Sequence, residues 1–428
     1  MRTLRIMGGR LIDPSQNIDQ ITDLWLRAGK VLAIGPRPDL MADEYIDATG
    51  LYVVPGLIDM HVHFREPGRE EDETIATGAA AALAGGVTSV ACMPNTEPAI
   101  DNQAAADFVV LQAKRANLAY VYPIGAITKG RSGQELAEFG GLVAGGAVAF
   151  SDDGSPVMSA EIMRRELEYC KMFDKTVMDH CEDLELTQGF VMHEGQVSME
   201  LGLRGYPAAA EEIMIDRNCR LAEMTGGKLH ILHVSTAGGV DIIRQAKKRK
   251  VRVTAEVSPH HFTLTDDCLR TFDSNYKMSP PLRTQADIEA LIEGLKDGTI
   301  DVIATDHAPH APEKKLRELD QAPNGIIGLE TLLPISIKAL IEPGHLTWLQ
   351  LVEKLTIKPA EVLGIPKGTL RPGSDGDVTI IDPNLEWTID PAEFKSKSRN
   401  CPFAGWKVKG RAVAVFVDSM LRYRLHSG

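Results

Sequence analysis

The sequence predicts an α/β protein: a (β/α)8 barrel with a small β-sandwich built from both chain ends. Three observations carry this expectation. Between about residues 54 and 366, short apolar runs that end in polar residues alternate with helical stretches, and continuous Val/Ile/Ala runs of this kind mark strands buried on both faces of a parallel sheet. Both chain ends instead alternate apolar and polar residues between turn residues, the pattern of antiparallel strands with one wet face. The residues with ligand chemistry fall at the C-terminal ends of the apolar runs, where a TIM-type barrel places its active site.

The N-terminal strands read as LRIMGGRLIDP and DLWLRAGKVLAIGP, with turns at Gly8-Gly9 and Ala28-Gly29. The same texture returns in GDVTIIDPN, EWTI and WKVKGRAVAVFVDSM. Neither piece alone has enough strands to bury a face, so residues 1–53 and 367–428 are expected to form one β-sandwich domain together. Residues 54–366 are then the catalytic barrel domain. Its strands are LIDMHVHF, GVTSVACMPNT, AYVYPIGAIT, GAVAFSDDG, KTVMDHCED, KLHILHVST, RVTAEVSPHH and VIATDHAPH. No Gly-rich nucleotide loop follows the first strand, which argues against a doubly wound open sheet.

A chain of 428 residues, 44% hydrophobic and 25% charged, can bury a large core. Its net charge of −13, from 46 Lys+Arg against 59 Asp+Glu, gives no help in binding polyanions, so nucleic acid is not an expected partner. The basic run Lys247-Lys248-Arg249-Lys250 follows a helical pattern and reads as a solvated helix end. A small anionic substrate needs a specific local Arg or Lys instead. The cysteines (Cys92, Cys170, Cys181, Cys219, Cys268, Cys401) form no CxxC pair, and Met1-Arg-Thr-Leu-Arg runs straight into a strand pattern. A reducing, cytoplasmic setting is therefore expected. No charge-free stretch of about 18 apolar residues occurs, so no membrane span is expected.

His61 and His63, at i and i+2 on the first barrel strand, share one face and can hold one metal ion. Alone, such a pair is weak evidence for metal and more often serves packing or the surface. His180 and His233 end later strands (VMDH, LHILH) and Asp306 ends another (VIATDH), so five ligand-type residues from four strands meet at one barrel mouth. Imidazole and carboxylate without thiolate suit Zn²⁺ with an open position for water, while ligand type alone leaves Mn²⁺, Co²⁺ or Fe²⁺ open. The Cys181 side chain should point away from the barrel axis. A second metal needs a bridging anion, and Ser151-Asp152-Asp153-Gly154 offers two aspartates, one to bridge and one to cap the turn.

DMHVHFREPG at 59–68 and ATDHAPH at 304–310 resemble the two signatures of dihydroorotases of the longer bacterial type, in the amidohydrolase superfamily. The rest of the chain is compatible with that family from end to end. The resemblance implies a zinc-dependent enzyme that interconverts N-carbamoyl-L-aspartate and L-dihydroorotate in pyrimidine synthesis. It implies His61, His63 and Asp306 on a first zinc, His180 and His233 on a second, Asp153 as the bridge, and Asp306 as general base and acid. In many relatives, hydantoinases and allantoinases among them, the bridge is a carbamylated lysine ending the fourth strand. Here AVAFSDDG has no lysine, which is similar to the dihydroorotase subgroup with Asp in that place.

The resemblance also implies substrate contacts at His63, Arg65, Asn95 in MPNT, His310, and the Pro323-Asn324-Gly325 turn. Ser279 in KMSPPLR stands where many relatives carry Asn. Arg65 lies two residues beyond His63 on the same face and suits a bidentate pair with a substrate carboxylate; its alternative is a salt bridge with Glu66 or Glu70. Asn95 is otherwise a turn residue. The charged stretch APEKKLRELDQA, residues 311–322, fits a lid over the site or a solvated loop with a short helix. The oligomeric state stays open, a homodimer included. An aspartate transcarbamoylase partner is compatible, with the competing reading of a catalytically silent scaffold, against which the intact ligand set stands.

Overall fold

The computed structural model describes residues 2–425. Eight parallel strands, Leu57–Val62, Val87–Cys92, Tyr120–Gly125, Ala149–Phe150, Thr176–Asp179, Lys228–Ile231, Val253–Val257 and Val302–Ile303, pair side by side in chain order. The ring closes just past the last strand, where Val62 bridges His307 in parallel and His63 N donates to His307 O at 2.9 Å. Every residue of the first two strands is buried, the reason they read as unbroken apolar runs. The fourth and eighth strands are shorter than their apolar runs suggest, at two residues each. The polar residues that follow them leave the ladder and enter the barrel mouth.

Helices Ile75–Ala84, Gln103–Ala116, Ala160–Cys170, Ala208–Thr225, Ala237–Lys248 and Gln285–Asp297 lie between these strands. Four of them start on Thr74, Asn102, Ser159 and Thr236, whose side chains accept from the amide three residues on and so satisfy donors that the first turn leaves open. Lys247 and Lys248 end Ala237–Lys248 as the basic run suggests, where cations complement the carbonyl end of the helix. The sequence pattern carries no clear sign of an insertion after the fifth strand. It holds the short helices Leu184–Thr187 and Gln196–Leu201 and a two-stranded ladder of Met192–His193 with Gly205–Tyr206. The buried Arg283 ties this insertion to the barrel, donating to Tyr206 O at 2.8 Å and Ser235 Oγ at 3.1 Å and meeting His193 Nδ1 at 3.0 Å.

The two chain ends join in a single sheet ordered Met420–Arg424, Lys407–Val417, Val378–Thr388, Tyr52–Pro55, Thr3–Asp13, Ile18–Arg27, Lys30–Ile34, with Glu44–Asp47 also paired to Thr3–Asp13. Its seam is Tyr52–Pro55 antiparallel to Val378–Thr388, with Val53 opposite Ile380. The two ends thus share one continuous sheet, as expected of pieces too short to bury a face alone, and it carries its own core of Leu4, Ile6, Leu24, Leu26, Ile380 and Phe416. Gly8-Gly9 is not the expected turn but a bulge inside one 11-residue strand. Gly8 sits at φ 68°, and a Cβ on Gly9 would lie 2.6 Å from Val53 Cγ2. At this bulge the strand exchanges Glu44–Asp47 for Tyr52–Pro55 as its parallel partner. No described helix is long and apolar enough to cross a membrane.

The helix Ile75–Ala84 ends at Gly85, where an added Cβ would stand 2.1 Å from Leu329 O. Leu329 and Gly328 donate their amides to His307 Nδ1, beside the barrel closure. Gly85→Ala is therefore expected to lower stability by about 1–3 kcal/mol, the range for overpacking, read as a lower midpoint in chemical denaturation. An unchanged midpoint would show that the Leu329 loop yields freely.

Candidate metal centre

His61 and His63 end the first barrel strand, Asp153 follows the fourth, His180 the fifth, His233 the sixth and Asp306 the eighth, and all six are buried. Their functional atoms converge. Asp153 Oδ2 lies 3.4 Å from Nε2 of both His61 and His63. Its Oδ1 lies 3.4 Å from His233 Nε2 and 3.5 Å from His180 Nδ1. One carboxylate thus faces two imidazole pairs, one with each oxygen. Asp306 Oδ1 joins the first pair, 2.9 Å from His63 Nε2 and 3.4 Å from His61 Nε2. Asp152 is the turn residue: its Oδ1 accepts from the amides of Ile127 at 2.9 Å and Thr128 at 3.1 Å. Cys181 directs its thiol to Asp179 Oδ2 at 3.5 Å, as expected of a residue facing away from the centre.

The donor set fits divalent metal. Among the described residues, His61 Nε2 and Asp153 Oδ1 are buried without a hydrogen-bond partner, which native structures rarely leave unexplained. Ligand atoms of a tetrahedral zinc with bonds of about 2.0–2.1 Å stand roughly 3.3–3.4 Å apart, close to the Asp153–imidazole separations. Three overlapping triads lie close enough to share an ion: His61, His63 and Asp153; Asp153, His180 and His233; His61, His233 and Asp306.

Charge and backbone point the same way. Against the desolvation that would raise it, the charge on His61 and the close imidazoles of His180 and His233 hold Asp153 well below the usual carboxylate range. Against the desolvation that would lower it, Asp153, Glu256 and Asp306 raise His61 well above its ordinary value. The site keeps its carboxylates ionised and calls for positive charge among them. His233, Asp306 and Arg65 sit at φ of 30°, 49° and 61°. Residues with a Cβ hold such backbone at a cost of order 1–3 kcal/mol, where their surroundings enforce it.

A further layer of acceptors sets the imidazole orientations. His61 Nδ1 meets Glu256 Oε1 at 2.5 Å, and the other Glu256 oxygen meets His230 Nε2 at 3.2 Å. A carboxylate behind a ligating imidazole fixes its tautomer and raises its basicity. His180 Nε2 meets Glu182 Oε2 at 2.8 Å, which leaves Nδ1 for the centre. His63 Nδ1 meets Asn95 Oδ1 at 2.8 Å, so Asn95 orients His63 as well as lining the site. Glu256 and Glu182 are absent from the sequence-derived site. The available signal for Glu256 is a carboxylate within the apolar run RVTAEVSPHH, since a buried Glu needs a partner.

A cavity of about 350 Å³ opens over the centre, and every sequence-derived site residue lines it except His61, which is fully buried. Leu184 and Phe190 of the insertion supply an apolar part of its wall. Arg65 makes no ion pair with Glu66 or Glu70; its Nε donates to Pro309 O at 3.3 Å. Glu66 instead accepts from Ile75 N, and Glu70 from Gly68 N. Burial, with Arg65 beside it, pushes His310 down to about 2, so the ring is neutral. His310 Nε2 donates to Asn324 O at 2.7 Å. Asn324 Oδ1 is buried without a partner among the described residues. Ser279 Oγ donates to Glu182 Oε2 at 3.4 Å.

Among solved structures, the L-hydantoinase (dihydropyrimidinase) of Arthrobacter aurescens aligns with a TM-score of 0.89 at 27% identity, covering 98% of this chain and 96% of the other. A D-hydantoinase (dihydropyrimidinase) of Thermus sp. aligns at 0.81 with 27% identity, covering 98% and 95%. Fold and centre together define a metal-dependent hydrolase of cyclic amides, of the amidohydrolase class. The chain matches the dihydro-orotase-like family over residues 50–238. It is 55% identical over 414 residues to a dihydroorotase of Pelotomaculum thermopropionicum, 97% of each chain, and 54% identical over 424 residues to one of Geobacter sp. strain M21, 98% of this chain and 99% of the other. Within that class, this chain belongs to the dihydroorotase family.

If Glu256 holds His61 in its ligating orientation, Glu256→Gln should weaken metal retention by about 10–100-fold, the usual loss for such a partner. Metal content after equilibrium dialysis against a competing chelator checks this. Retention equal to that of the unaltered protein would show that His61 needs no carboxylate behind it.

Proposed function

We propose that this chain catalyses the reversible cyclisation of N-carbamoyl-L-aspartate to L-dihydroorotate with loss of water, in de novo UMP synthesis, with two zinc ions per chain. The observation that carries this reading is Arg65: a guanidinium 4% exposed, with no carboxylate in ion-pair distance among the described residues, at the wall of the metal-centre cavity. Burial, with Arg69 nearby, pushes it down to about 10, so it keeps its charge at neutral pH. A neutral cyclic amide has no use for such a group, whereas dihydroorotate brings a ring carboxylate that an Arg binds in a bidentate pair.

His61, His63 and Asp306 would hold one ion and His180 and His233 the other, with Asp153 between them. Bound there, the ions supply Lewis-acid polarisation of the amide carbonyl and a water that ionises near neutral pH. Asp306 performs the proton transfer. Its carboxyl, desolvated but facing the charge on His61 and the hydrogen bond of His63, is held well below the usual range and is ionised at the start. In hydrolysis it takes the proton of the attacking water and passes it to the ring nitrogen as the C–N bond breaks. The carbonyl carbon becomes a carboxylate, the other water proton goes to solvent, and the nitrogen leaves as the ureido NH₂. In cyclisation Asp306 takes a proton from the ureido nitrogen as it attacks the carboxyl and passes it to the departing oxygen, which leaves as water with a second proton from solvent.

Arg65 binds the ring carboxylate, with Asn95 and the hydroxyl of Ser279 at the same rim. Asn324 Oδ1 and the Gly325 backbone meet the ring amide, and neutral His310 holds the Asn324 carbonyl. Residues 54–366 carry this chemistry, with residues 1–53 and 367–428 as the attached β-domain. The reading places the enzyme in the cytoplasm. A homodimer and a complex with aspartate transcarbamoylase are the assemblies to seek by mass measurement under native conditions.

Assays of dihydroorotate and hydantoin hydrolysis on protein of known metal content test the reading. Turnover of dihydroorotate alone, with zinc bound, is expected; bound zinc with hydantoin turnover alone would overturn the substrate. In metal-replete protein, Asp306→Asn should lower kcat by at least about 10²-fold, the low end for a general acid–base group; near-normal activity there would refute the role. Arg65→Ala should raise KM for dihydroorotate and leave metal content intact; an unchanged KM would make Arg65 a structural residue.

A further inference from the structure

Two buried lysines lie outside the chemistry of the metal centre. Lys277 is 4% exposed and Lys315 6%, and among the described residues no carboxylate lies within ion-pair distance of either. Burying an ammonium without a counter-ion is costly, and burial, with Lys277 close by, pushes Lys315 down to about 7. Both lysines bond instead to backbone carbonyls, nearly all in one segment. Lys277 Nζ donates to Leu319 O at 2.7 Å, Asp320 O at 3.1 Å and Ala322 O at 2.8 Å. Lys315 Nζ donates to Pro323 O at 3.0 Å, Gly325 O at 3.1 Å and Lys277 O at 3.4 Å. An ammonium has three donors, and here each has a carbonyl.

These carbonyls belong to the segment that ends in the Asn324-Gly325 turn, and those of Pro323 and Gly325 flank Asn324. Gly325 N donates to Lys277 O at 3.0 Å, and Asn400 Nδ2 donates to both Gly325 O and Ala308 O at 3.0 Å. The middle of the segment is tied down as well. Leu319 packs with Val191, Met192 and Val197 of the insertion, and Lys314 pairs with Asp72 at 2.8 Å and Glu71 at 2.7 Å.

We infer that Lys277 and Lys315 are positioning residues that hold segment 311–325 as a rigid frame and set the Asn324-Gly325 turn for substrate. The inference rests on the proposed function in taking that turn as the one that meets the ring amide. Lys315→Met keeps the length of the side chain and removes the donors. It should raise KM for dihydroorotate by about 10-fold or more, as losing hydrogen bonds to a charged group does, with kcat and zinc content near those of the unaltered enzyme. Lys277→Met should act in the same direction, and Arg317→Met, exposed in the same segment, should leave KM unchanged.

A folded, zinc-loaded Lys315→Met protein with unaltered KM would overturn the inference. Hydrogen exchange on the unaltered zinc-loaded enzyme tests it without any variant. The amides of 311–325 should exchange slowly already in the free enzyme; rapid exchange that slows only with dihydroorotate bound would make the segment a closing lid. If the unaltered enzyme fails to turn over dihydroorotate, the proposed substrate falls, while exchange in the free enzyme still decides the frame.

Discussion

The structure depends on a charge balance in a place with little room for water. Asp153, Asp306 and Glu256 are all buried at the mouth or within the wall of the barrel, where an uncompensated carboxylate costs several kcal/mol. The compensation is local: four imidazoles face Asp153, two for each oxygen. That arrangement fixes the rest. Three of these imidazoles have their second nitrogen occupied: Glu256, Glu182 and Asn95 stand behind His61, His180 and His63. Each ligand must also project from a strand end, so His233 and Asp306 accept unfavourable backbone angles.

Much of this was legible because the barrel converts position along a strand into position in space. A residue at the C-terminal end of a buried run lands in the mouth, so His61, His63, His180, His233 and Asp306 could be gathered from the apolar pattern alone. The choice between Asp152 and Asp153 was not legible in the residues themselves. Both follow the same two-residue strand, and only the turn that Asp152 caps through the Ile127 and Thr128 amides separates them. The partner of Glu256 is out of reach of any local pattern because it lies across the barrel on His61, whereas Glu182 sits two residues from His180 and turns back on it only through the side-chain geometry at the strand end. Gly8-Gly9 was misread because a glycine pair suits a turn and a bulge alike, and the choice rests on Val53, more than forty residues away.

The walls of the cavity differ in how they are built. On one side the insertion brings Leu184 and Phe190 to the cavity and is tied to the barrel through the buried Arg283. On another, backbone carbonyls are gathered by lysine side chains, so main-chain polarity sits beside the site without an exposed charge. This division gives the cavity an apolar flank and a polar flank over a charged floor. It suits a small polar ring with a carboxylate at one edge.

The seam of the terminal sheet has a consequence for how the chain is made. Tyr52–Pro55 pairs along one edge with Thr3–Asp13, but its other edge belongs to Val378–Thr388. During synthesis that edge emerges from the ribosome more than three hundred residues before its partner. Through that interval the nascent chain presents an open strand edge, the feature on which other chains nucleate aggregates. Asp306 also arrives late, so neither the sheet nor the metal centre can mature before translation is nearly complete.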